Sequence, residues 1–224
     1  MAKILCIETA TTNCSVAIGD GNLVLSVVEF DSKTFSHAEQ LHLFIKEALE
    51  KAGQKITALD AVAISKGPGS YTGLRIGVST AKGLCYATDI PLISCPTLEV
   101  LARQVKEKGS GYPIITMIDA RRMEVYSSVF DTSYNTLQEV EAKILDEDAY
   151  ADLFESYAQL NVIGSGVAKF KDITKHSGKF NFIEHKNPSA REMISIAEGK
   201  FNVQKFEDLA YFEPYYLKDF VAGK

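Results

Sequence analysis

The sequence predicts an α/β protein made of two tandem ribonuclease-H-like units, the arrangement called actin-like or ASKHA, with helices packed on mixed sheets. Three observations predict it. The chain opens with three short apolar segments, the last two joined by Gly19-Asp20-Gly21-Asn22, a hairpin signal. Strands and helices then alternate, giving the order βββαβαβα. After Gly109-Ser110-Gly111-Tyr112-Pro113, a hinge-like break, that order recurs. No residue-level repeat links the halves, so the duplication is one of architecture.

In the first half, strands are expected at residues 3–8, 14–19 and 23–30. A helix at 36–52 is stopped by Gly53. A strand at 61–65 leads into a glycine-rich helix over 74–87, followed by a strand at 91–94 and a helix at 97–108. In the second half, strands are expected at 114–119, 124–130 and 137–145. A helix at 147–157, a strand at 161–164, a weaker helix at 167–175 and a strand at 180–184 follow. Ser189 with Glu192 forms a capping box for a last helix at 189–201. The expected division is residues 1–108 with about 206–224 as one lobe, the tail folding back on it, and 109–205 as the other.

The 224 residues are 46% hydrophobic and 24% charged, as in ordinary globular proteins, with length enough to bury a core. A net charge of −5 argues against binding nucleic acid alone, which usually demands a basic face. Cys6, Cys14, Cys85 and Cys95 contain no CxxC pair and read as small buried hydrophobes rather than a zinc site. Glu8 interrupts the first apolar run and nothing reaches membrane-spanning length, so a cytoplasmic protein without a membrane anchor is expected.

The stretch KGPGSYTGLRIGVSTAKG (66–83) holds five glycines and a proline. Glycine is costly in a helix, roughly 1 kcal/mol against alanine, so this backbone must approach either a phosphate or another piece of protein. It is not a Walker loop, because no GK[ST] follows, and it misses G-x-G-x-x-G by one residue, with Thr72 where the third glycine belongs. A strand-to-helix glycine turn nonetheless presents free N–H groups to anions. Wound at about 100° per residue, residues 74–87 place Arg75, Ser79, Lys82 and Tyr86 in one narrow polar stripe. Gly73, Gly77 and Ala81 lie four apart on a flank that admits another backbone. Such a helix is wrapped on two sides. One side is the chain's own sheet; the other is assigned to a partner subunit, with an intramolecular contact as the alternative. On the first helix, Ala38, Leu41, Phe44, Ile45, Ala48, Leu49 and Ala52 form an apolar face, while Leu43 points away among charges.

His37 and His42 look like a zinc-protease pair with one residue inserted. Five apart on a helix they diverge by about 140°, so they cannot share a metal, and Glu39 reads as a capping partner of Ser36. His176 and His185 read as surface residues. In the N-terminal hairpin, Glu8, Thr9, Thr11 and Thr12 are candidate ligands for nucleotide phosphate and magnesium, against a plain turn whose hydroxyls cap backbone groups. The matching place in the second half carries Asp119-Ala120-Arg121-Arg122, whose side chains obstruct phosphate approach. Gly164-Ser165-Gly166 is a weak glycine turn. G-x-S-x-G is absent.

ILCIETATTNCSVAI, KGPGSYTGLRIGVSTAKGL, DARRMEVYSSVF and the terminal EPYYLKDF together resemble the bacterial TsaB (YeaZ) family across nearly the whole chain. The resemblance implies a noncatalytic, actin-like relative of TsaD. It implies a part in making threonylcarbamoyladenosine beside the tRNA anticodon, with TsaD and the ATPase TsaE as partners, and homodimers when alone. tRNA would be reached only through the complex. No cofactor is required, and weak binding of ATP or ADP with magnesium is the most the hairpin offers. The partner-binding residues it implies are Tyr71, Thr72, Gly73, Leu74, Gly77, Val78 and Ala81 of the second helix, with His37, Gln40, Leu41 and Phe44 of the first. Glu8 stands where many relatives have Asp. TsaD-like enzymes hold metal between two histidines of one helix, a spacing His37 and His42 lack. The rival readings are an actin-like nucleotide hydrolase or kinase and a metalloprotease.

Overall fold

The computed structural model describes residues 1–31, 37–105, 111–184 and 186–218. It divides into two compact units, Met1–Val100 with Pro188–Lys224, and Leu101–Asn187.

The first unit is built on β1 (Lys3–Glu8), β2 (Asn13–Asp20), β3 (Leu23–Asp31), β4 (Ala61–Ser65) and β5 (Leu92–Cys95), in the order β3-β2-β1-β4-β5. β1 to β3 form an antiparallel meander, and β4 and β5 continue parallel to β1. Successive side chains on a strand face opposite ways, and both faces are buried. Leu5, Ile7, Val16, Ile18, Val62 and Ile64 face α1 (His37–Lys51) and α2 (Tyr71–Thr88). Ile4, Cys6, Ala17, Ala61, Ala63 and Ile93 face α5 (Ala190–Asn202) and part of α3 (Thr97–Ala102). The second face is rich in alanine, so α5 approaches closely: a methyl group on Gly19 would lie 2.7 Å from Ile194. All four cysteines are free and buried.

The second unit repeats the topology with β6 (Ile114–Asp119), β7 (Glu124–Phe130), β8 (Thr136–Ile144), β9 (Leu160–Ile163) and β10 (Phe180–Ile183), ordered β10-β9-β6-β7-β8. β6 to β8 are antiparallel, and β9 and β10 run parallel to β6. Its core centres on Phe170 of α4 (Val167–Ile173), ringed edge-on by Tyr150 and Phe180. The doubled order expected from the sequence is therefore present.

Three expectations change. The last helix belongs to the first unit, not the second lobe. Ser189 caps it, accepting from Arg191 N and donating to Glu29 at 2.6 Å, and Ser15 accepts from Ala190 N. The helix expected at 147–157 is only a 3-10 turn at Ala151–Glu155. Tyr150 sits at φ 67, outside helical space, because its ring packs on Phe170 and its hydroxyl donates to Ser127 at 2.7 Å. The glycine-rich helix begins at Tyr71, three residues early, with Ser70 as its N-cap. Ser36, Gly109, Ser110 and His185 lie outside the described residues.

Candidate functional site

The glycines at the start of α2 lie against the chain's own backbone. A methyl group on Gly67, held at φ 110, would lie 2.6 Å from the Tyr215 carbonyl; methyls on Gly69 and Gly73 would strike the carbonyls of Ala10 and Thr9. One on Gly77 would strike the Thr9 hydroxyl and Ile64. Three N–H groups of the turn are committed within the chain as well. Ser70 N donates to Ala10 O (2.7 Å), Gly67 N to the Thr97 hydroxyl (3.0 Å) and Gly73 N to the Ser70 hydroxyl (3.3 Å). The segment cradles the turn between β1 and β2.

This corrects the flank assigned to a partner. Gly73, Leu74, Gly77, Val78 and Ala81 are all buried inside the chain. So are Leu41 and His37 of α1. His37 lies against the Thr11 carbonyl at 2.7 Å; a carbonyl only accepts, so Nε2 carries the proton. Burial lowers the His37 pKa, the Thr11 bond partly opposing it. His42 faces solvent, so the two imidazoles diverge as their spacing requires. Among the eleven expected interface residues, Thr72 is exposed, and Tyr71, Gln40 and Phe44 are half-buried. Gln40 and Phe44 line an open groove with Val28, Phe30 and Arg191.

Of the four candidate nucleotide ligands, Glu8, Thr9 and Thr11 are buried and Thr12 is half-buried. Thr9 donates to Gly73 O (2.8 Å), and Thr11 Oγ1 accepts from Asn13 N (3.4 Å). Thr12 donates to Asp31 (2.7 Å). Glu8 is fully buried, with one oxygen accepting from Ala10 N (2.6 Å) and the other without a hydrogen-bond partner. Burial pushes its pKa up to about 7, against the lowering influence of Ala10 N–H, the Ser65 hydroxyl and Thr9 N–H. Ser65 makes its own bond to Thr97 at 2.7 Å. Burial disfavours the charged form of Glu8, and the hydrogen bonds of Thr9, Thr11 and Thr12 are those of a turn whose hydroxyls cap and brace its own chain. Among the described residues no group of three or more His, Cys, Asp or Glu could hold a metal. None of the described helices is long and apolar enough to cross a membrane.

Sequence reasoning missed how the tail is held. Glu207 N donates to Leu92 O (2.9 Å), and Tyr215 N to Lys66 O (2.7 Å). Lys82 donates to the carbonyls of Ala210 (3.2 Å) and Phe212 (3.0 Å). Tyr216 packs 5.0 Å from Tyr71 and accepts from Arg75 (3.2 Å), whose guanidinium lies over the Tyr71 ring. Two members of the polar stripe, Arg75 and Lys82, thus fasten the chain's own tail. The signal was present: paired cations on a helix, paired tyrosines in the tail.

The residues open on α2 are Thr72, Arg75, Ser79, Gly83 and Tyr86, a ridge at intervals of three and four residues, with Ala87 beside its end. Tyr86 is 84% exposed, as is Leu43 of α1 at 64%. Gly83 differs from the other glycines of this helix. A methyl group there meets no described residue within 4 Å.

The chain matches the family model for TsaD, tRNA N6-adenosine threonylcarbamoyltransferase, over residues 33–221. It is 30% identical to the tRNA threonylcarbamoyladenosine biosynthesis protein TsaB of Escherichia coli strain K12, covering 99% of this chain and 97% of that protein. It is also 30% identical to the TsaB of Bacillus subtilis strain 168, covering 88% and 87%. In fold it is similar to YeaZ from Pseudomonas aeruginosa, with a TM-score of 0.83 at 22% identity over 97% of this chain and 100% of that one.

Proposed function

The chain belongs to the TsaB (YeaZ) family of tRNA threonylcarbamoyladenosine biosynthesis proteins, and from that premise we propose that it is a noncatalytic docking subunit. It seats a TsaD-type threonylcarbamoyltransferase on the outer faces of α1 and α2 and, with a TsaE homologue, supports transfer of threonylcarbamoyl to tRNA. Alone, the same faces pair two copies of this chain. At physiological salt it is the assembled complex rather than this acidic chain by itself that engages tRNA, and the reading asks for no cofactor on this chain.

Beside family membership, the observation that carries the reading is Gly83. A helix interior glycine costs roughly 1 kcal/mol against alanine, and here no described residue lies within 4 Å of an added methyl group. Close approach of another molecule's backbone would make use of it. Tyr86 and Leu43, large and mostly exposed, supply the apolar area such a contact needs.

The test is sedimentation with a TsaD homologue. Gly83→Arg leaves the fold intact, because the new side chain starts in open space, and is expected to abolish co-sedimentation. Gly83→Ala is expected to fold at least as well as the parent. Wild-type affinity in the Gly83→Arg protein would show that this ridge is not the interface.

A further inference from the structure

We propose that the tip of the β6–β7 hairpin, Arg121-Arg122, is a phosphate-contacting point through which this chain touches the tRNA backbone within the assembled complex. The proposal rests on the tRNA-modification reading above. The hairpin turns through Glu124 N donating to Arg121 O and Ala120 N donating to Glu124 O, both at 3.1 Å. Arg121 and Arg122 sit at φ 68 and φ 46, two consecutive non-glycine residues in the left-handed region. Glycine or asparagine adopts that conformation with less strain. Strain of this kind persists where the rest of the structure imposes it, and it accompanies function often enough to raise the question of what the side chains do.

Their surroundings answer it. Both arginines are exposed, and neither has an ion-pair or hydrogen-bond partner for its guanidinium among the described residues. The nearest built-in anion is already committed. Asp119 Oδ1 accepts from Arg121 N (2.6 Å) and from Lys169 Nζ (3.0 Å). Lys169 also donates to the carbonyls of Arg122 (3.0 Å) and Glu124 (2.7 Å), so one buried-stem ammonium neutralises the carboxylate and holds the turn in shape. Across the hairpin, the acidic run after β8 is engaged elsewhere. Asp146 accepts from Asp148 N, Glu147 pairs with Lys175, and Asp148 pairs with His176. Both arginines therefore reach solvent from the turn with no ion pair to their guanidinium groups among the described residues.

A guanidinium presents a planar fork of donors that matches a phosphodiester. Met123 and Ile144 are the large exposed apolar residues next to the tip, too few for the apolar core of a protein interface. Backbone phosphate, rather than a protein surface, is the chemistry that fits.

The test uses labelled unmodified tRNA, with the complex of this chain and a TsaD homologue, and with this chain alone at low salt. The variant is Arg121→Asn with Arg122→Gly, residues that accept the left-handed turn, so its melting temperature is expected to equal or exceed wild type. Its tRNA affinity is expected to fall about tenfold, and the slope of log affinity against log salt to shrink by about 1.5. Arg121→Lys with Arg122→Lys should restore most of the slope. Unchanged affinity and slope in the Asn-Gly variant would overturn the proposal. So would loss of co-sedimentation with the TsaD homologue at unchanged tRNA binding by the chain alone, which would make the tip a protein contact. Failure of the docking reading registers separately, as a wild-type chain that does not co-sediment at all, and the measurement on the chain alone still reads the arginine pair.

Discussion

Glu8→Gln isolates one buried charge. The Glu8 carboxyl is fully buried, with one oxygen accepting from Ala10 N, and burial pushes its pKa from the usual 4.5 to about 7. Folding thus raises an acid's pKa. Between those two values the native state keeps a proton that the unfolded chain releases, so stability declines as pH rises through the window. The full difference, at roughly 1.36 kcal/mol per pH unit, is about 3 kcal/mol, present above pH 7 and absent below 4.5. Glutamine keeps the shape and the acceptor for Ala10 N but cannot ionise. The assay is urea unfolding of both proteins from about pH 5 to about pH 8. The stability of the glutamine protein relative to wild type is expected to climb by about 2.5 kcal/mol across that range. The comparison must be a difference, because His37 pulls the other way. Its pKa is lowered by burial, so the unfolded chain takes up a proton on acidification that the native state refuses, and wild-type stability gains from that group as pH rises. Parallel pH curves for the two proteins would refute the reasoning and mean that the Glu8 carboxylate is stabilised as an anion in solution.

Two glycines of one helix should respond oppositely to the same substitution. Gly77→Ala drives a methyl group into Thr9 and Ile64 and is expected to cost about 1–3 kcal/mol in urea unfolding. Gly83→Ala meets nothing and is expected to stabilise by about 1 kcal/mol; equal effects at the two sites would contradict the packing described. For the tail, Tyr216→Ala removes the ring beside Tyr71 and the acceptor for Arg75. Amide exchange at Tyr215, whose N–H bonds Lys66 O, should accelerate, and unchanged protection there would show that the clamp is held by Lys82 and Glu207 alone.

Much of the fold was legible because it is written in local periods. Every strand of both sheets falls within a residue or two of its expected place, since alternation and glycine or asparagine turns act over a few positions. The exceptions have tertiary causes. Tyr150 breaks an expected helix because a core pocket beside Phe170 takes its ring. The last helix crosses into the first unit because Ser15, Glu29 and the alanine face of the first sheet receive it, and those residues lie some 160 to 175 positions upstream.

The candidate site divides in the same way. Glycine density in residues 66–83 by itself determined that something approaches the α2 backbone closely, because only a missing side chain permits it. What approaches was a tertiary decision: Thr9 and Ala10 at one end of the helix and Tyr215 at the loop before it, brought there by sheet order and by the returning tail. The exposed ridge was visible as a polar stripe, yet only the folded chain separated Arg75 and Lys82, which hold the tail, from Gly83 and Tyr86, which hold nothing within it. A helical period states which residues share a side. Contacts made across 64 positions of chain state what covers it.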